Sequence, residues 1–97
     1  MSMQMLVVLA RGDERWGLAR DAVRAVVKQA HGLAVATESG PVRADAVLDV
    51  AARLEVRAPG AVVERFWPGR CLGLTIYDGA PVVVVSPAAL PPELRVD

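Results

Sequence analysis

Residues able to carry chemistry are scarce in this chain. Its 97 residues include one histidine and one cysteine. A Ser-His-Asp or Cys-His site would have to be built on His31, which sits beside Gly32, far along the sequence from Cys71. An exposed loop histidine is the plainer reading. A lone cysteine forms no internal disulfide, and no second one stands at metal-ligand spacing. Its apolar neighbours Leu72 and Leu74 favour a buried, structural thiol. No catalytic centre, metal or cofactor is expected.

Other absences narrow the reading further. Lys+Arg and Asp+Glu are both 11, so the basic footprint of a nucleic-acid binder is missing. Trp16, Phe66, Trp67 and Tyr77 are too few and too separated for a base-stacking platform. The glycines are dispersed, with no phosphate-cradling loop. No run approaches the ~20 apolar residues that span a membrane, so no membrane insertion is expected. The first residues, Met1-Ser2-Met3-Gln4-Met5-Leu6, lack the basic region of a secretory signal, which makes a cytoplasmic location the default expectation.

What is present is apolar and small. Hydrophobic residues are 54%, dominated by Val and Ala, enough for one domain with one core. A neutral apolar domain of this size is prone to self-association unless a partner covers part of it. Homo-oligomerisation is therefore an alternative to carry forward.

The pattern is that of short strands. Residues 5–10 are a continuous apolar run closed by the turn Arg11-Gly12-Asp13, and Arg15–Leu18 reads as the return strand. Asp21 caps a helical turn that runs into a strand from Val23. Leu33–Thr37 is a short strand, and Ser39-Gly40-Pro41 a turn. Residues 44–56 are ambiguous. One reading is a long helix with Val47, Val50, Ala51 and Leu54 on one face. The other is a strand at Ala46–Leu48 followed by a helix over Val50–Leu54, capped by Asp49. On a helix, Asp45 and Asp49 would look like paired carboxylates, but a cap and a solvated side chain explain them more simply. Arg57–Gly60 is a loop. Ala61–Trp67 and Arg70–Ile76 then form a hairpin about Pro68-Gly69, and Asp78-Gly79 makes a second turn. Val82–Val85 is a strand buried on both faces or lying at a barrel corner. Ser86–Leu90 is a helical turn ended by Pro91-Pro92, and 93–97 trail. Alternation predicts a core of Leu6, Val8, Trp16, Leu18, Leu48, Leu54, Leu74, Ile76, Val83 and Val85.

Four segments, in order, resemble the CheW-like family of chemotaxis coupling adaptors. They are Leu6–Leu9 with Gly12-Asp13-Glu14 and Trp16-Gly17-Leu18, then Val23-Arg24-Ala25-Val26, then Val47-Leu48-Asp49-Val50, and finally Gly73–Ala80. The departures matter as well. Ala25 replaces the family's acidic residue, Thr37-Glu38-Ser39-Gly40 stands where a longer Arg-bearing loop is usual, and the family's last strands have no counterpart after Pro92. This shortened pattern is similar to the FrzB-type variant. The resemblance implies a mainly β fold: one small CheW-like antiparallel β-barrel arrangement, truncated, ordered over about 5–92, with one or two short helices. It implies a non-enzymatic adaptor between a chemoreceptor-like protein and a CheA-like histidine kinase. The contact residues it points to are Val23, Arg24, Ala25, Val26, Glu38, Asp78 and Gly79. As strand neighbours three apart, Val23 and Val26 are expected on opposite faces. A homo-oligomeric structural or regulatory β-domain and a small ligand-binding barrel are the alternatives.

Overall fold

The computed structural model describes residues 2–30, 32–58, 60–61, 65 and 71–86. Eight strands account for most of them: β1 (Ser2–Arg11), β2 (Glu14–Ala19), β3 (Val23–Gln29), β4 (Gly32–Thr37), β5 (Gly40–Ala44), β6 (Ala46–Val56), β7 (Cys71–Tyr77) and β8 (Ala80–Val85). Among the described residues one 3-10 turn, Arg20–Ala22, leads into β3, where a helical turn is expected from the sequence, but Asp21 lies inside the turn and no side chain caps it.

Tight turns set the hairpins. Arg11 pairs with Glu14 across Gly12-Asp13, and Gly12 has φ 59°, as a two-residue loop with glycine first requires. Tyr77 pairs with Ala80 across Asp78-Gly79, both at positive φ, the conformation for which Asp-Gly is preferred. Between β4 and β5 the turn residues are Glu38 and Ser39, one position earlier than expected. There the Thr37 hydroxyl accepts from Ser39 N–H and donates to Gly40 O.

The strands form two sheets, ordered β6-β1-β2-β8-β7 and β3-β4-β5. All pairings are antiparallel except β2 with β8, which run parallel through Trp16–Val83 and Gly17–Val84. The five-stranded sheet curls until its outer strands meet. Arg57 and Leu74 exchange backbone hydrogen bonds of 2.9 and 2.8 Å, and Thr75 Oγ1 donates to Glu55 O at 2.7 Å. The result is a small β-barrel with the second sheet laid on its outer wall.

This layering explains the two continuous apolar runs. Leu6 and Val8 point into the barrel with Ala52, Val56, Val82 and Val84. Val7 and Leu9 point the other way, with Trp16, Leu18 and Val85, onto Val35, Val42 and Ala44 of the second sheet. A strand walled on both sides needs apolar residues at every position. Each buried Val or Leu contributes about 1.5–3 kcal/mol.

Several expectations are corrected. Residues 44–56 contain no helix: β6 runs unbroken over Ala46–Val56, because pairing with β1 along its length overrides helical propensity. The register skips Leu48, Val50 and Ala51, and these bulges bend β6 round towards β7. Asp49 therefore caps no helix; its Oδ1 accepts from Ala51 N–H at 2.9 Å within the bulged stretch. Among the predicted core, Leu6, Val8, Trp16, Leu18 and Val85 are buried, while Leu54, Leu74 and Val83 are half-buried. Leu48 and Ile76 are not core at all; Ile76 is 65% exposed. On β7 the inward residues are Cys71, Gly73 and Thr75. Ala61 and Arg65 are helical where a strand was expected. His31, Phe66, Trp67, the Pro68-Gly69 turn and the segment from Pro87 on lie outside the described residues.

Candidate protein-contact surface

The candidate contact strand, β3, is formed by a β-branched run and ends the three-stranded sheet. Its register with β4 places Val23 opposite Thr37, then slips, so that Ala25 faces Ala36 and Val26 faces Val35. Thr37 and Val35 are two apart on β4 and both buried. Val23 and Val26 therefore share a face, contrary to the opposite faces that simple alternation predicts. The bulge at Arg24 supplies the extra residue that turns Val26 inward.

Inward is not the same as buried at this edge. Val23 packs on the core beneath it, but Val26 remains 42% exposed and Val27 52%. Facing β3 across a cleft is the bulged part of β6, where Val50 is 57% exposed. Val7, Val23, Val26 and Val50 line one half of this groove, together with Arg20, Arg24 and Ala25. Val26 and Val50 continue into a second half with Lys28, Leu33 and Val47. The groove is an apolar trough with basic side chains on its β3 side. Val50 was missed because a helical reading of 44–56 turned it inward; strand alternation interrupted by a bulge could have exposed it.

The other candidate residues are divided by the topology. Glu38 is exposed in the β4–β5 turn, next to the Thr37–Val23 pair, and so belongs to the β3 end of the molecule. Asp78-Gly79 lies at the opposite end of β2, where Arg15 Nη1 donates to Tyr77 O at 2.8 Å. The structure thus brings Val23, Arg24, Ala25, Val26 and Glu38 together and leaves Asp78 and Gly79 apart. The conformation of those two is accounted for by the turn they make.

The remaining polar groups mostly tie strands together. Asp45 Oδ2 accepts from Gly12 N–H at 2.6 Å while its own N–H donates to Ala10 O at 2.8 Å, clamping the β1–β2 turn. Tyr77 OH lies 3.4 Å from Leu48 O and 3.3 Å from Asp49 Oδ2. Desolvation, then the Asp49 charge and hydrogen bond, and then Asp78, lift the phenol above its ordinary 10.0; Arg15 works in the opposite sense. Asp45 and Asp49 are thus engaged separately, not as a carboxylate pair. Cys71 is buried, as expected, with Sγ 3.4 Å from Gly73 O. Among the described residues no three His, Cys, Asp or Glu side chains converge as a metal site, and no helix is long and apolar enough to cross a membrane.

No protein-family model, curated protein or solved structure matches the chain.

Proposed function

We propose that this chain is a non-enzymatic adaptor, linking a chemoreceptor-like protein to a histidine-kinase signalling complex by surface contact, with the β3–β6 groove as its receptor-side face. The carrying observation is the exposure of Val26 and Val50 on the two sides of one groove, at the edge of a molecule whose shared wall is apolar and filled on both sides. Exposed apolar surface with a polar rim is the signature of a contact site. The class of partner rests on the ordered segments that resemble coupling adaptors. Ala25 stands where that family carries an acid, so the receptor-side contact is proposed ahead of the kinase-side one.

The test is a titration of a receptor cytoplasmic fragment against Arg24→Glu and Ala25→Glu, each beside its thermal melt. Both positions are exposed, so the fold should survive, whereas a charge driven into an interface weakens binding by about tenfold or more. Unchanged affinity in variants that melt normally removes β3 from the interface. A second reading, a homo-oligomeric β-domain, is favoured by other exposed apolar side chains, notably Met3 at 61% and Ile76 at 65%. Sedimentation at rising concentration separates it from a monomeric adaptor.

A further inference from the structure

We propose that β3 receives an extended acidic–apolar segment of the partner protein as an added fourth strand of the three-stranded sheet. The proposal rests on the adaptor reading for the existence of a partner; its mode and chemistry come from the edge itself.

In the order β3-β4-β5, no described strand pairs with the outer edge of β3. Alternate residues of such an edge turn their N–H and C=O groups outward, which templates another strand. The other end of the sheet is protected. Pro41 removes a donor from β5, and just beyond that strand Asp45 N–H bonds to Ala10 O. No proline interrupts β3.

Side chains beside the edge specify what is received. An added strand would lay alternate residues over the trough at Val26 and Val50, which suits small branched apolar groups. Lys28, two residues from Val26, shares that face and lines the same trough, Arg24 lines its other half, and β3 carries no carboxylate, so acidic residues two positions to either side of the apolar contact would meet positive charge. Arg20 extends the basic side at the start of the groove. Among the described residues none of these three cations is held in an ion pair. Of the carboxylates at this edge, Asp21 is beside Arg20 in the chain, Glu38 stands in the turn next to the Thr37–Val23 pair, and Asp45, at the Lys28 end, is already bonded to Gly12 N–H. A second copy of the chain is a poor occupant. Antiparallel pairing of β3 with itself about Val26 would set Arg24 opposite Lys28, and like charges directly opposite are destabilising. An acidic strand turns the same charges into attraction and register.

The probe is an end-capped heptapeptide with a central valine, glutamates two positions to either side of it and threonine elsewhere, titrated into the full chain with backbone amides followed by NMR. Expected are shifts and slowed exchange confined to β3 and the groove, affinity that falls with added salt, and loss of about tenfold or more in Arg24→Glu/Lys28→Glu. A matching peptide with lysine for glutamate should bind that double variant better than the parent chain. Methylating alternate backbone nitrogens of the acidic peptide, which leaves its side chains intact, should abolish binding. Equal binding of the acidic and lysine peptides to the parent chain, equal binding of the methylated peptide, or no binding of any peptide overturns strand addition. So does concentration-dependent protection of β3 without peptide, which would mean self-pairing. A receptor fragment that binds while every peptide fails would overturn strand addition alone and leave the adaptor reading standing.

Discussion

Gly73 lies against Val56 with no space for a side chain: a Cβ placed on Gly73 would overlap Val56 Cγ1 and come 2.6 Å from the Arg57 carbonyl oxygen. This approach is where β6 meets β7 and the five-stranded sheet closes. Gly73→Ala should therefore force the seam apart and cost about 1–3 kcal/mol, the usual range for overpacking. Urea unfolding measures it. A loss below about 0.5 kcal/mol, the range of an ordinary surface substitution, would mean that the seam is not tight in solution.

Two leucine-sized side chains separate the core from its look-alikes. Leu6 is fully buried in the barrel, and Leu6→Ala should cost about 2–5 kcal/mol. Ile76, which alternation makes equally core-like, is mostly exposed, and Ile76→Ala should stay within about 0.5 kcal/mol. Equal losses from the two substitutions would show that β7 presents its other face to the barrel.

The phenol of Tyr77 gives a signature at alkaline pH. Its pKa in the folded chain lies above the ordinary 10.0, so the folded state holds this proton when the unfolded chain has begun to release it. The resulting stabilisation is complete below the unfolded value and is lost as pH rises from there through the folded value. Tyr77→Phe should flatten that part of the stability profile and leave its shape at lower pH unchanged. Denaturation midpoints across the alkaline range, parent against variant, decide the matter. Parallel profiles would remove Tyr77 as the source.

Much of the fold was legible because turns and double-sided strands leave strong marks. Gly12-Asp13 and Asp78-Gly79 announce their hairpins, and the run at 82–85 announces a strand with apolar neighbours on both sides, whereas alternation found Leu6 and Val8 but not Val7 and Leu9, which the second sheet buries. Residues 44–56 were misread because Ala, Leu and Arg favour a helix locally, while the pairing that overrules them comes from β1, some forty residues earlier in the chain. The phase of β7 was missed for a related reason. Leu74 and Ile76 look like the inward pair, but the seam admits only the smaller residues Gly73 and Thr75. At the candidate site, the strand was readable and its bulge was not. One slipped pair at Arg24 put Val26 beside Val50, and nothing in a two-residue alternation signals such a slip.

The two-sidedness of β1 also limits how the chain can be divided. Its even-numbered apolar residues complete the barrel interior and its odd-numbered ones complete the layer beneath the second sheet. A cut after Asp45 would leave the second sheet with β1 and β2 but strip β1 of β6 and β2 of β8, while the remainder would have a barrel without its central wall. Neither piece could be transplanted as an independent module. A fragment of residues 2–45 is expected to show no cooperative melt by circular dichroism, and to recover one only when the complementary fragment is added.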